Sequence, residues 1–148
     1  METIDNKILF ACMNGYEKYA LKYMEIANVK HFQELGDGNN VLYWACYHKM
    51  SDVIDELLPR MTIESINRIN YKNMTALSCL CNERFSDNIS SLVIKLIPYS
   101  TYKNIYRVIT NNWFYRHVIF SELTEHAINK LMQKINDDNI PIIYNVTL

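Results

Sequence analysis

Residues 37–58, DGNNVLYWACYHKMSDVIDELL, contain one complete pattern of a turn followed by two helices. The opening Asp37-Gly38-Asn39 is a turn signal, because Gly and Asn tolerate the left-handed backbone that a tight turn requires. Apolar residues then recur at helical spacing in two sets, with a polar break between them. The first set is Leu42, Ala45 and Cys46, and the second is Val53, Ile54, Leu57 and Leu58. The stretch therefore predicts two short amphipathic helices. A pair this small cannot bury its apolar faces alone, so it requires neighbours on both sides.

The pattern recurs on both sides of this stretch. The segment ILFACMNG begins at Ile8, 34 residues before Leu42, and in the segment NMTALSCLC the equivalent Leu77 lies 35 residues after Leu42. A second set of positions matches at a constant offset of 39 residues: Leu58-Pro59, Thr62, Ile66, Arg68, Ile69 and Asn73 correspond to Ile97-Pro98, Thr101, Ile105, Arg107, Val108 and Asn112. A period in the thirties that combines a turn with two helices is typical of stacked repeat proteins.

On these residues the chain resembles ankyrin-repeat proteins. Residues 37–46 occupy the turn and the T-P-L-H-x-A-A positions of that family, and residues 75–78 occupy them in the next unit. The chain departs from the family in its longer periods, in the polar or aromatic residues at the T-P-L-H positions, and in its lengthened linkers. The amino-acid sequences of the units are similar to those of degenerate ankyrin repeats encoded by giant DNA viruses.

The resemblance implies an all-α fold, an ankyrin-like solenoid of stacked helix-turn-helix units in a single domain, 1–148. Three recognisable repeats and a degenerate C-terminal helical cap are expected, with units at approximately 4–35, 36–69, 70–108 and 109–148. In the last unit, helices are expected over 114–120 and 123–135. The apolar tail 140–144 either folds back on the last helix or is offered to a partner.

Local signals add detail to these units. Thr62 is a plausible N-cap for a short helix over 63–69, and residues 101–109 are expected to be helical by analogy. Gly15 ends the first helix, and Asn73 takes the turn position that Gly38 holds one unit earlier, because Asn is the next-best residue for a left-handed backbone. The second helix of the first unit is expected over 16–24, with Tyr19, Ala20 and Tyr23 directed inward.

The four cysteines are explained by the repeat rather than by a metal or disulfide site. Cys12, Cys46 and Cys81 fall at the same position of three successive units, which in the ankyrin family is a small residue between close helices. A free Cys is suited to such a position because it behaves as a small buried hydrophobe. The spacing of Cys79 and Cys81 does not match a CxxC ligand pair, and the four histidines form no partner motif. We expect reduced cysteines and no metal or cofactor.

Composition limits the classes of partner. The chain has 148 residues, of which 49% are hydrophobic and 21% charged, and its net charge is −1. These values are typical of a globular domain and give no indication of a nucleic-acid or membrane surface. The N-terminus lacks the features of a secretory signal, and no apolar run approaches the length of a membrane span. An intracellular, cytoplasmic location is expected, which is the host cytoplasm if the chain is viral.

No glycine-rich phosphate loop, nucleophile elbow or paired metal motif is present in the sequence, so we expect no enzymatic activity. The resemblance instead implies a protein–protein interaction module that binds a protein partner through a concave surface of turn tips and first helices. The exposed binding residues implied by position are Met13, Asn14, Asp37, Asn39, Tyr47, His48, Tyr71, Lys72, Met74, Asn82 and Glu83. The alternative is a self-assembling scaffold that uses the C-terminal helix or tail as a homodimer surface.

Overall fold

All regular elements in the described part of the chain are helices. The computed structural model describes residues 3–27, 38–83, 86–111 and 113–122. The α-helices are α1 (Ile4–Met13), α2 (Glu17–Ile26), α3 (Val41–Tyr47), α4 (Ser51–Leu57), α5 (Ile63–Ile66), α6 (Ala76–Cys81), α7 (Asp87–Leu96), α8 (Tyr102–Asn111) and α9 (Trp113–Glu122), with a 3-10 turn at Ile97–Tyr99. The predicted all-α class is confirmed over these ranges.

The helices of the described residues pack as pairs that contact one another in succession. The pairs α1–α2, α3–α4, α6–α7 and α8–α9 are in contact. Across pairs, α3 contacts both α1 and α6, α6 contacts α8, α2 contacts α4, and α7 contacts α9. The apolar core lies between these helices, and its fully buried side chains include Leu42, Ile54 and Leu80. An isolated helix pair would expose part of its apolar surface to water. In this structure, the neighbouring pairs cover that surface.

The first helices of the pairs begin with equivalent caps. The side-chain oxygens of Thr3, Asn40 and Thr75 each accept a hydrogen bond from the backbone N–H three residues later, which satisfies a free donor at the helix start. Thr62 caps α5 in the same way, as the sequence predicts. These caps explain where the helices start, because Ser, Thr and Asn offer an acceptor that an apolar side chain lacks.

The links α1–α2 and α3–α4 have the same backbone. Gly15 and Lys49 have φ values of 72° and 55°, and each follows the last turn of its helix. Tyr16 N donates to Ala11 O and Met50 N donates to Ala45 O, each at 2.8 Å, which closes the same C-terminal cap. Gly38 and Asn73, with φ values of 82° and 62°, form a second equivalent pair and confirm the predicted left-handed turns.

The three cysteines at the repeated position are buried, as predicted. Cys12, Cys46 and Cys81 are at most 3% exposed. One prediction for α2 is wrong: Tyr19 is 59% exposed rather than directed inward. The buried positions of α2 are Ala20 and Met24, four residues apart on one face, so Tyr19 is turned away from that face.

The C-terminal region is described only in part. Helix α8 runs across residue 108, where the sequence analysis ends the third unit, and α9 covers the predicted helix at 114–120. The predicted helix at 123–135 and the tail at 140–144 lie outside the described residues, and the division into four units stays a prediction.

Candidate functional site

A buried asparagine fixes the turn that precedes α6. Asn70 Oδ1 accepts hydrogen bonds from the backbone N–H groups of Lys72 and Met74, at 2.9 and 3.0 Å. Its Nδ2 donates to Asn39 Oδ1 at 2.7 Å, and its backbone N–H donates to Met74 O at 2.9 Å. Asn70 is only 8% exposed, so these bonds are shielded from water. The turn at 70–74 is therefore held by both its own backbone and the preceding turn.

The prediction that Asn39 is exposed is wrong. Its side chain is 4% exposed because it accepts the hydrogen bond from Asn70, 31 residues away in the chain. Asn39 therefore connects two successive turns. Asp37, which was predicted beside it, lies outside the described residues.

Tyr71 lies at the outer side of the fixed turn. It is 81% exposed, the largest exposed fraction among the large hydrophobic side chains of the described residues. An aromatic side chain on a turn whose backbone is already ordered loses less conformational entropy when it binds than one on a mobile loop. Tyr is also among the residue types that most often dominate protein interfaces.

Three predicted binding residues are brought together in one groove. Lys72, Met74 and Asn82 line a groove of about 240 Å³, together with Arg107, Val108 and Asn111 of α8. Asn73, Ser78 and Cys81 complete its lining. The groove therefore runs between the turn before α6, the C-terminal end of α6 and one face of α8.

Arg107 is held in this groove by the turn. Its Nη1 donates to the backbone oxygen and to Oδ1 of Asn73, at 3.2 and 3.3 Å. The left-handed backbone of Asn73, with φ of 62°, belongs to the turn that directs both acceptors at Arg107. The guanidinium is thereby positioned by the turn that precedes α6.

A second cluster lies at the C-terminal ends of α1 and α3. A ring nitrogen of His48, Nε2, is 2.8 Å from the backbone oxygen of Met13, and the ring also packs edge-on against Tyr47. Tyr47 is 52% exposed, whereas Met13 is half-buried against the core. Asn14 is exposed and its Nδ2 donates to Phe10 O at 2.8 Å. His48 therefore links two units while its neighbour Tyr47 remains accessible.

Glu83 belongs to neither cluster. It is exposed and forms an ion pair with Lys49 at 3.7 Å, between the C-terminal ends of α6 and α3. Both side chains are accessible to water, so the pair contributes little to stability.

The sequence analysis missed the contribution of α8. Arg107, Val108 and Asn111 were not among the predicted binding residues, because 101–109 was predicted only to be helical. The match of Arg107 to Arg68 at an offset of 39 residues was the available signal. This match did not indicate whether Arg68 or Arg107 would contact the turn at Asn73.

The buried thiols are expected to be unreactive. Burial raises the pKa of Cys12 and Cys81 to about 12 and that of Cys79 to about 11, and it raises the pKa of Cys46 well above its ordinary value. Since the thiolate is the reactive form, these groups are poor nucleophiles at neutral pH. The Tyr43 hydroxyl hydrogen-bonds Cys79, which connects α3 with α6. No cluster of three or more His, Cys, Asp or Glu side chains suited to a metal is found among the described residues.

Comparisons of the chain with protein-family models, with curated proteins and with solved structures found no match. A search of the described helices for one of sufficient length and apolar character to cross a membrane found none. The ankyrin resemblance, its viral character and the intracellular location therefore stay predictions.

Proposed function

We propose that the chain is a non-enzymatic, ankyrin-type module that binds a protein partner through the turn at 70–74, the adjoining groove and the exposed ends of the first helices. The helix pairs that contact one another in succession, and the equivalent caps and links of the first units, support a repeat architecture. The predicted residues Tyr71, Lys72, Met74 and Asn82 supply an aromatic anchor and a groove on one side of α6.

The observation that carries this proposal is Tyr71. It combines 81% exposure with a turn whose backbone is fixed by Asn70. Single exposed aromatic residues are common on monomeric proteins, but Tyr71 is held on an ordered turn, and two other residues of that turn, Lys72 and Met74, line the groove. Interface hot spots are enriched in Tyr, Trp and Arg, and Arg107 lines the adjoining groove.

A peptide selection tests the proposal without knowledge of the natural partner. A random peptide library is selected against the immobilised chain, and the selected peptides are labelled and titrated with the chain by fluorescence anisotropy. Truncation of a hot-spot Tyr costs about 2 kcal/mol, so Tyr71→Ala should raise Kd about thirtyfold. The additional Tyr47→Ala change should weaken binding further by a smaller factor.

Tyr19→Ala is the matched control. Tyr19 is 59% exposed on α2, which belongs to the second helices of the pairs, so its removal should change Kd less than about twofold. Melting curves of all variants should coincide within a few degrees. Equal losses for Tyr71→Ala and Tyr19→Ala, or no peptide that depends on Tyr71, would reject this surface.

A further inference from the structure

The groove beside Tyr71 has an unbalanced charge in a chain whose net charge is −1. Its lining contains the cations Lys72 and Arg107 and, among the described residues, no carboxylate. Three other cations of the described part are paired with acids: Lys95 with Asp55 at 3.0 Å, Arg60 with Glu56 at 3.2 Å, and Lys49 with Glu83 at 3.7 Å. Unlike these three residues, Lys72 and Arg107 form no ion pair with an acid of the described part of the chain.

The guanidinium of Arg107 is held in one orientation but does not use all of its hydrogen-bond donors. Nη1 donates to the two oxygens of Asn73, whereas Nε and Nη2 have no hydrogen-bond partner within the described part of the chain. A planar guanidinium donates two parallel hydrogen bonds to a carboxylate in a fixed geometry. Since Asn73 already restricts the Arg107 side chain, less entropy is lost when such a ligand binds.

The size and remaining lining of the groove favour a single side chain. Its volume of about 240 Å³ is smaller than that of typical small-molecule sites, which begin near roughly 300 Å³. Met74 and Val108 supply apolar surface for a short aliphatic stem, and Asn82 and Asn111 supply amide groups. A glutamate or aspartate side chain matches this combination of an apolar wall and a cationic wall.

We propose that this groove recognises a carboxylate side chain within an acidic segment of the protein partner. The proposal rests on the function proposed above and specifies its partner: Tyr71 packs against the segment, and the neighbouring Lys72 and Arg107 bind its acidic residue. Electrostatic complementarity of this kind selects partners and accelerates association.

Acetate tests the carboxylate chemistry directly. Backbone N–H and arginine Nε–H signals are followed by NMR while sodium acetate replaces sodium chloride at constant ionic strength. The expected result is a saturable shift of the Arg107 Nε–H signal and of the Lys72 and Asn82 amides. Arg107→Gln should abolish saturation, and the exposed Lys72→Gln should weaken acetate binding about threefold, which keeps the test decisive if Arg107→Gln fails to fold.

Arg60→Gln is the matched control for the acetate titration. Arg60 also donates to a backbone oxygen, that of Met24 at 2.9 Å, but it already pairs with Glu56. Its substitution should leave the acetate response unchanged. A response that does not saturate, or a saturable response to phosphate but not to acetate, would overturn the proposal.

The selected peptides separate this proposal from the proposed function. Replacement of their Glu or Asp residues by Gln or Asn should weaken binding to the unsubstituted chain about tenfold and binding to Arg107→Gln by about threefold or less, because only Lys72 then remains to bind the carboxylate. Peptides that depend on Tyr71 but not on their carboxylates would overturn the acidic-segment proposal and leave the proposed function intact. Saturable acetate binding without any Tyr71-dependent peptide would reject the proposed function alone.

Discussion

The two ends of α3 are held in different ways. At its C-terminal end, the link to α4 repeats the backbone hydrogen bonds of the link α1–α2, although Lys49 replaces Gly15. At its N-terminal end, side-chain amides hold the chain: Asn40 Nδ2 donates to Ser65 O, and Asn39 Oδ1 accepts from Asn70, both at 2.7 Å. The link at the C-terminal end repeats that of the first helix pair through backbone bonds, whereas the N-terminal end also depends on bonds between particular side chains.

The asparagine bonds continue along the chain with new partners. Asn67 Oδ1 accepts from the backbone N–H of Thr101 and from Asn104 Nδ2, each at 2.9 Å, and Asn104 is 5% exposed. Buried amides are costly unless they are hydrogen-bonded, so each of these pairs fixes one geometry. The comparison teaches that backbone bonds and the apolar core maintain the packing of the helix pairs, while side-chain bonds position the surface on which Tyr71 lies.

The largest effect is expected at the N-terminal end of α3. Asn70→Ala removes the two bonds to the turn and the bond to Asn39 Oδ1. Unpaired buried polar groups cost about 1–3 kcal/mol each, so the free energy of unfolding should fall by about 2–3 kcal/mol in urea denaturation. The control Asn88→Ala, at an exposed position of α7, should change it by less than about 0.5 kcal/mol. Similar small losses in both variants would show that the amide bonds do not hold the turn.

A smaller loss is expected from Gly15→Ala in the link α1–α2. The φ of 72° is unfavourable for a residue with a Cβ, and that Cβ would lie 3.0 Å from Nδ1 of the His48 ring, which contacts Met13 O. The left-handed conformation alone costs about 1–2 kcal/mol, so a loss of about 2 kcal/mol is expected from thermal or urea unfolding. An unchanged midpoint would mean that this link does not adopt the left-handed geometry.

The opposite sign is expected for Lys49→Gly, the smallest effect of the three. Lys49 has the same backbone with φ of 55°, but it bears a side chain, so Gly relieves strain. Its exposed ion pair with Glu83 contributes little. Stability should rise by about 0.5–1 kcal/mol, measured beside Gly15→Ala under the same conditions. Destabilisation by Lys49→Gly would indicate that the two links are not equivalent.

Residues with a strong local preference were predictable from the sequence. Gly15, Gly38 and Asn73 adopt the left-handed backbone that their small or amide side chains favour, and Thr62 caps a helix. Lys49 adopts it without any such preference, because the packing of α3 and α4 and the bond from Met50 N to Ala45 O impose it. A local signal could not reveal that conformation.

Residues whose environment depends on distant partners were not predictable. The burial of Asn39 follows from a bond to Asn70, and the groove depends on Arg107 reaching Asn73, 34 residues earlier. The sequence indicated Tyr71, Lys72, Met74 and Asn82 through their positions in the repeat, but not the helix that lies opposite them. The sequence therefore predicted the residues of the candidate site that lie in the turn and at the end of α6. It did not predict those whose place in the site depends on contacts between distant parts of the chain.

The most direct test of the account is to map a selected peptide onto the chain by backbone-amide NMR. The account predicts that the largest shift changes occur at Tyr71, Lys72, Met74 and Asn82 and along α8 around Arg107. Changes concentrated instead on α2, around Tyr16 and Tyr19, would contradict it.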